Sequence, residues 1–283
     1  MISCIICSRQ ADISAELKEN IASTIGCEYE LVLIDNSKNE HSIFSAYNEG
    51  VRRANGDILC FMHEDILYHT QGWGPKVVDY FVQYPQAGLI GVAGTHYMPA
   101  MPAAWWDSEV VSEHYIQGFH ECGKYKTSIE YKDKYRKKIT KVVSVDGFWM
   151  CLPKQIFTYI EWDEEYYKGF HGYDTDIALQ VWKNTSEVHL YYNILIEHKS
   201  LGDAGLAFHN ACEKVYDKWN SFLPMMEGVE LSIEEQQCRD RLCELKWSLY
   251  KSQHQLASIS KSNAYRLGKF ILKPLSKIRR LFI

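Results

Sequence analysis

The stretch Ile58-Leu59-Cys60-Phe61-Met62-His63-Glu64-Asp65 decides how the chain is read. Five apolar residues run without a break into polar and acidic ones. Five is too short for a buried helix, and the run suits a strand covered on both faces. The flanking sequence agrees. Ile2-Ser3-Cys4-Ile5-Ile6-Cys7 is a short β-branched run, broken by Ser8-Arg9-Gln10. Leu17, Ile21 and Ile25 recur at helical spacing before Gly26, and Leu31-Val32-Leu33-Ile34 is a second strand ending at Asp35-Asn36-Ser37. A second helix carries Ile43, Ala46, Tyr47, Gly50, Val51 and Ala54 on one face. After the acidic cluster, Pro75 starts a helix through Val78, Phe81 and Val82, and Leu89-Ile90-Gly91-Val92-Ala93 forms a fourth strand. This βαβαβαβ order predicts an α/β fold with a mostly parallel sheet flanked by helices. Ligands of such sheets sit beyond the carboxyl ends of the strands, where Asp35, Glu64 and Asp65 fall.

Residues 95–141 interrupt the alternation and read as a long excursion over the sheet edge, a possible lid, holding Trp105-Trp106 and the basic run Lys132–Lys141. Val142-Val143-Ser144-Val145 resumes a strand and meets Asp146-Gly147. Tyr173-Asp174-Thr175-Asp176 opens a helix through Ile177, Val181 and Trp182, and Val188–Ile196 is a strand ending at Glu197-His198. Residues 211–223 form a helix with Val215, Trp219 and Phe222 inward. Residues 232–260 are helix-prone, charged and weakly heptad-like, able to form a homodimer. From Ala264 to Ile283 there are six cations and no acid, with Leu267, Phe270, Ile271, Leu275, Ile278 and Leu281 broadly on one side. That pattern suits an in-plane element on an anionic bilayer, a solvated tail or a partner-docking segment. The expected division is an α/β domain over 1–223 and a helical extension with a basic amphipathic tail over 224–283.

The whole chain has 283 residues and a net charge of −5, which argues against nucleic acid as a partner. A hydrophobic share of 46% and a charged share of 24% are those of a globular protein and exclude a disordered chain or a disulfide scaffold. Nine scattered cysteines and an opening that runs straight into a strand predict reduced thiols and a cytoplasmic location, with the tail peripheral on the inner face of the cytoplasmic membrane. Cys4 and Cys7 sit three apart on a strand, on opposite faces, and suit packing better than a metal clamp. No apolar run approaches the ~20 residues needed to span a bilayer.

Adjacent carboxylates at Glu64 and Asp65 repel each other and resist desolvation. A divalent cation such as Mg²⁺ or Mn²⁺ relieves both and keeps positions open for phosphate oxygens. The plain alternative is a solvated acidic loop. Asp174 and Asp176 either cap a helix or do chemistry, and His198 at a strand end is either packed or a ligand. Trp105-Trp106 suits either a sugar-stacking wall or core packing.

Taken in order, several motifs resemble the family 2 glycosyltransferases of GT-A fold. They are Asp35-Asn36-Ser37, Asn48-Glu49-Gly50, Ala54-Asn55-Gly56-Asp57, Phe61-Met62-His63-Glu64-Asp65, Val145-Asp146-Gly147-Phe148, Phe170-His171-Gly172-Tyr173-Asp174-Thr175-Asp176 and His198-Lys199-Ser200-Leu201-Gly202. The resemblance spans about residues 2–223, to a subgroup with His-x-Asp in place of the usual Asp-x-Asp. It implies an inverting, metal-dependent transfer of a sugar from a nucleoside diphosphate donor, UDP-sugar favoured, to a surface glycan or lipid-linked acceptor. It implies Ser8 and Arg9 at the base pocket, Asp35 on the base, Asn48 on the nucleotide side and His63 at the first acid of the triplet. Asp65, with Glu64 or a water, would hold Mn²⁺ or Mg²⁺, with His198 as the distal ligand. Asp146 and Gly147 would face the donor sugar, and Asp174 would be the general base. Two positions depart from the pattern: His63 replaces an acid, and Tyr173 replaces the Glu of a Glu-Asp pair. The competing readings are a sugar nucleotidyltransferase, for which a Gly-rich phosphate loop is missing after the first strand, and a non-catalytic nucleotide-sugar-binding scaffold.

Overall fold

The computed structural model describes residues 1–202 and 204–261. The membrane contact expected of residues 264–283 lies outside them. In chain order the elements are β1 (Ile2–Ser8), α1 (Ala15–Thr24), β2 (Tyr29–Asp35), α2 (Ile43–Arg53), β3 (Ile58–Met62), β4 (Ile66–Tyr68), α3 (Trp73–Gln83), β5 (Ala87–Gly91), β6 (Ala93–Thr95) and β7 (Tyr97–Met98). They continue as β8 (Val111–Glu121), β9 (Lys124–Lys132), β10 (Thr140–Lys141), β11 (Ser144–Val145), β12 (Trp149–Pro153), α4 (Tyr173–Lys183), β13 (Glu187–Leu190), β14 (Ile196–His198), α5 (Leu206–Trp219), β15 (Met225–Met226) and α6 (Ile233–Lys261).

The central sheet has seven strands in the order β10-β13-β5-β12-β3-β1-β2. β2, β1 and β3 pair in parallel, as do β13 and β5, while β12 runs antiparallel between β3 and β5. The expected α/β sheet flanked by helices is therefore present, mostly parallel, with β12 reversed in its middle and β10 reversed at its edge. Alternate residues of β1 and β3 enter opposite cores. Ile5, Leu59 and Phe61 pack with Phe44 and Tyr47 of α2, and Cys4, Ile6, Cys60 and Met62 pack with Leu17, Ile21 and Trp73. Cys4 and Cys7 accordingly face opposite sides, and all nine cysteines are free thiols. Among the described residues no helix is long and apolar enough to cross a membrane.

Three expected strands divide. Leu89–Ala93 splits at Val92, because β5 stays in the central sheet while β6 leaves for a second sheet ordered β11-β6-β8-β14-β4. Of Val142–Val145 only Ser144-Val145 is strand, as β11, because Val142 and Val143 cross from the central sheet to the second one, and Val188–Ile196 divides between β13 and β14 for the same reason. The excursion at 95–141 is not a loose loop. Its centre is a hairpin of β8 and β9, turned at Cys122 and Gly123 with φ of 51° and 75°, the left-handed pair that a tight hairpin turn requires. Phe222, expected inward, is 37% exposed, because α5 ends at Trp219 and the chain turns away.

The long helix α6 lies back on the domain. Cys243 and Trp247 are buried, Asp240 accepts a hydrogen bond from the Tyr97 hydroxyl at 2.6 Å, and Lys246 reaches the Asp107 carbonyl at 2.9 Å.

Helix α2 sits on β1 through Gly50, where a Cβ would lie 2.3 Å from Ile5 Cγ2. Gly50→Ala should therefore destabilise the fold despite the better helix propensity of alanine, by about 1–3 kcal/mol for an overpacked contact. A urea titration reads this directly, and an unshifted midpoint would mean that α2 is not seated against β1 in this way.

Candidate active site

Strand pairing assembles the site. β3 ends at Met62, whose neighbour on β12 is Trp149, so Asp146-Gly147-Phe148 lies beside His63. The His63 amide donates to the Phe148 carbonyl at 3.0 Å. After the turn, β4 joins the second sheet, where Ile66 faces His198 of β14. The Lys199 amide donates to the Asp65 carbonyl at 2.9 Å. Residues 135 positions apart are thus fixed as neighbours by backbone ladders.

His63, Asp65 and His198 form a compact cluster whose ligand atoms all lie within 4.8 Å of one another. His63 Nδ1 is 3.4 Å from His198 Nε2, His198 Nε2 is 3.5 Å from Asp65 Oδ1, and His63 Nδ1 is 3.9 Å from Asp65 Oδ1. Two ligands about 2.1 Å from one ion at a tetrahedral angle are roughly 3.4 Å apart, so this triangle fits a divalent cation with little adjustment. Burial would raise the Asp65 carboxyl, but the His198 hydrogen bond and the charges of both imidazoles hold it well below the usual carboxylate range. Burial, and then His198, push His63 down to about 4, which leaves its imidazole neutral and able to ligate.

The orientation of both rings is fixed from outside. Phe148 stacks on His198 at 4.8 Å and 9°. His63 Nε2 meets the Tyr173 hydroxyl at 2.7 Å, which turns Nδ1 toward the cluster. Gly147 makes this contact possible, since a Cβ there would lie 2.3 Å from the Tyr173 hydroxyl oxygen. Tyr173, at the start of α4, therefore ties the cluster to Asp174.

Asp174 and Asp146 are half-buried and close enough for each to disfavour the charge of the other. Burial, and next the charge of Asp146, raise the Asp174 carboxyl to about 7, although the Thr175, Asp174 and Gly147 amides oppose this. Burial also raises Asp146, against the pull of His198, the Phe148 amide and the Trp105 side chain. A carboxyl near neutrality beside an electrostatic cluster is suited to taking a proton.

The cleft next to the cluster has a volume of about 320 Å³ and is lined by Cys7, Arg9, Asn39, Ile43, Phe170 and Ser200 along with His63, Glu64, Asp65 and Tyr173. Not every expected residue faces it. Glu64, expected on the metal, lines the cleft but turns away from the cluster: Ser8 Oγ donates to one carboxylate oxygen, and the Arg9 amide and Nε reach the other at 3.3 Å. Adjacent residues of a turn point apart, so only Asp65 joins the imidazoles. Asn48, expected on the nucleotide side, is used by the chain. Its amide donates to the Trp162 carbonyl at 2.8 Å and to Glu164 at 3.0 Å, and it accepts from the Trp162 amide. Asp35 stands exposed at the rim, accepting the Ser37 amide at 2.9 Å, outside the cleft lining. Asp176 is buried in a separate network with Lys218, Trp219 and Tyr167. Asn39 and the Tyr173–His63 bond were not expected from the sequence, and Phe170 lies within a quoted motif but had no role assigned. Ser200, whose side chain helps to lower the Asp65 carboxyl, lies within a quoted motif but had no role assigned.

A family model described as "Glycosyltransferase like family" matches residues 1–199. The chain belongs to that family. The enzyme class expected from the sequence, glycosyltransferase, is the class of this family. A search of the curated proteins matched none. Among solved structures, GalNAc-T7 with UDP, GalNAc and Mn²⁺ is similar with a TM-score of 0.49 and 12% identity, over 91% of this chain and 57% of that one. TarS of S. aureus, residues 1–349 with UDP-GlcNAc, is similar with a TM-score of 0.44 and 10% identity, over 72% and 61%. A197 from STIV is similar with a TM-score of 0.38 and 9% identity, over 70% and 84%. The chain thus spans less than two thirds of the GalNAc-T7 and TarS chains it matches.

Two nitrogens and one carboxylate form a softer donor set than the all-oxygen shell that Mg²⁺ prefers. Titration calorimetry should therefore give a Mn²⁺ affinity at least tenfold above that for Mg²⁺. His198→Ala should lower Mn²⁺ affinity at least tenfold and Glu64→Gln by less than twofold. Equal losses in the two variants would dissolve the distinction between Asp65 and Glu64.

Proposed function

We propose that this glycosyltransferase moves a sugar, with inversion, from a nucleoside diphosphate donor to an acceptor hydroxyl. The observation that carries the reading is a three-ligand cation cluster opening on a cleft, with a carboxyl held near neutrality beside it. His63, Asp65 and His198 would hold Mn²⁺, which supplies charge stabilisation to the departing diphosphate. Arg9 and Ser200 line the cleft, where phosphate oxygens would lie. Asp174 takes the proton of the acceptor hydroxyl as its oxygen bonds to the anomeric carbon. The bond from that carbon to the diphosphate oxygen breaks, and its electron pair leaves with the nucleoside diphosphate. A single transfer with a base on the acceptor side inverts the anomeric centre. UDP is the favoured nucleotide, as the resemblance of the sequence motifs implies. A growing glycan or lipid-linked sugar is the acceptor class. A thermal-shift screen of nucleoside diphosphates with and without Mn²⁺ tests the donor, since binding raises apparent stability by mass action. No Mn²⁺-dependent shift with any nucleotide would sink the proposal.

Asp174 gives a sharper check. Its carboxyl titrates near 7 in the folded chain and from 3.8 when unperturbed. The stability it contributes is present below the lower value and lost as pH rises through the higher one. Asp174→Asn should therefore raise the melting temperature at pH 8 by about 3–6 °C, with a smaller difference at pH 5. The same variant should keep nucleotide affinity and lose at least a hundredfold in turnover. Wild-type turnover should climb to a plateau as pH passes through about 7. Unimpaired transfer by the variant would remove Asp174 as the base.

We also infer that a second copy of the chain covers α6. Cys238, Leu242, Leu245, Leu249, Ser252, Leu256 and Ile259 follow an alternating four-three spacing. Leu245, Leu249, Leu256 and Ile259 are each more than half exposed, while Cys243 and Trp247, on the opposite side, are buried in the domain. Ser252 fits an apolar seam because its hydroxyl donates to the Ser248 carbonyl at 2.9 Å. Arg239, Arg241 and Lys246 flank the first half of the seam, and Gln253, Gln255 and Ser260 the second. An antiparallel pairing keeps the cations apart. Light scattering should give a dimer for the full chain and a monomer for Leu245→Asp/Leu249→Asp. A monomeric wild type at 50 µM, an arbitrary test concentration of roughly physiological-assay scale, would overturn the inference.

A further inference from the structure

Beyond the cation cluster, the inner face of the β8–β9 hairpin lines a groove of about 550 Å³. Val111, Glu113 and Tyr115 alternate onto this face from β8, and Lys132 and Glu130 stand opposite Glu113 and Tyr115 on β9. Trp106, Glu109 and Lys246 of α6 complete the wall. We propose that this groove seats a neutral saccharide acceptor, with its ring against Trp106 and Tyr115 and one hydroxyl directed toward Asp174. The proposal deepens the transfer reading and rests on it.

Three observations carry it. The first is aromatic. Trp106 is 38% exposed and stacks one face on Phe208 at 5.2 Å and 12°, leaving the other face to the groove. The exposed indole and the half-buried Tyr115 ring match the apolar face of a pyranose. The two alternatives expected of Trp105-Trp106, a sugar-stacking wall and core packing, thus divide between the two residues. Trp105 is 6% exposed, lies edge-on to Trp106 and bonds Asp146, so it links the groove to the paired carboxylates instead of lining it.

The second observation is polar. Glu113 is 5% exposed, and its Oε2 lies 2.8 Å from Lys132 Nζ without making an aligned hydrogen bond. The pair holds the half-exposed Lys132 ammonium in the groove wall, where its remaining donors suit a ligand hydroxyl. Lys246 pairs with Glu109 at 3.0 Å, and Glu130 accepts from Ser128 Oγ at 2.7 Å. Three carboxylates face two ammonium groups, so the groove disfavours an anion and suits an uncharged polyol.

The third observation is continuity. Tyr115 packs on Phe148 at 5.2 Å, and Phe148 stacks on His198. Gln117, next on the same face of β8, donates to the His198 carbonyl at 3.1 Å and to the Ser200 carbonyl at 2.8 Å. One strand face therefore runs from the groove to the rim of the donor cleft. Trp105 and Phe208 lead the other way, lining the recess that contains Asp174.

Saturation-transfer NMR with the methyl glycosides of glucose, galactose, mannose and N-acetylglucosamine, and with methyl glucuronide, tests the proposal on the full chain. At least one neutral glycoside should bind, with ring protons saturated and weaker binding of the glucuronide. Trp106→Ala and Glu113→Gln should each weaken that binding at least fivefold, and Trp106→Phe should retain most of it. Calorimetry of Mn²⁺ and UDP with the same variants should stay within twofold of wild type, which also shows that they fold. No neutral glycoside bound, preferred binding of the glucuronide, or binding unchanged in both variants would overturn the groove. Failure of the wild-type chain to bind Mn²⁺ and UDP would instead remove the transfer reading, with the saccharide result read independently.

Discussion

The hydrogen bond between His63 Nε2 and the Tyr173 hydroxyl holds the two halves of the site together. It joins the turn after β3, which carries the cation cluster, to the start of α4, which carries Asp174. It also explains the two positions that depart from the sequence pattern of the resembling family. An imidazole in place of the first acid needs its second nitrogen satisfied, and a phenol in place of the glutamate supplies the partner. The exchange is a matched pair, and its geometry depends on a third residue, because only glycine at position 147 leaves room for the phenol. A carboxylate at 173 would sit against Asp174 and Asp146, adding a third negative charge where two already disfavour each other.

That constraint sets the division of labour among the acids. Asp65 is surrounded by imidazoles and stays ionised, which suits it to be an anionic ligand. Glu64 is held by Ser8 and Arg9 and ties the end of β1 to the turn after β3. Adjacent carboxylates thus avoid one another by pointing into different networks, which removes part of the repulsion that first suggested a cation between them. The cation argument now rests on the triangle of His63, Asp65 and His198 instead.

How much of this was legible in the sequence follows from local character. β1 and β3 could be read because strands covered on both faces are continuous apolar runs, β2 because Leu31–Ile34 is an apolar run although only Val32 and Ile34 are buried, and α1 because Leu17 and Ile21 repeat on one side before Gly26. The departure of β6 from the central sheet was not legible, since Val92 is as apolar as its neighbours and a change of sheet leaves no mark on composition. The β8–β9 hairpin was missed because β9 is exposed along most of its length and lacks the alternation that marks a half-buried strand. Asp65 and His198 could be named as strand-end residues, but their contact is set by the register of β4 against β14. The resemblance of Asn48-Glu49-Gly50 to a family motif puts Asn48 on the nucleotide side, but an amide serves equally well to bridge a loop, and here the loop at Trp162 takes it.

The same logic distinguishes the two carboxyls beside the cluster. Both are raised first by burial, but their compensation differs. Asp146 has the His198 imidazole, the Phe148 amide and the Trp105 side chain to favour its charged form. Asp174 has only nearby backbone amides, and the charge of Asp146 works against it. Ionisation is therefore easier at Asp146, and the proton of the pair resides preferentially on Asp174 at neutral pH. A carboxylate that already has several partners gains little by accepting a proton. Asp174, with backbone amides alone and the charge of Asp146 against it, gains more, and it stands in the recess between Trp105 and Phe208. The environment that makes Asp174 costly to keep ionised is thus the one that makes it an effective proton acceptor, and moving either Trp105 or His198 would alter that balance through Asp146 without touching Asp174 itself.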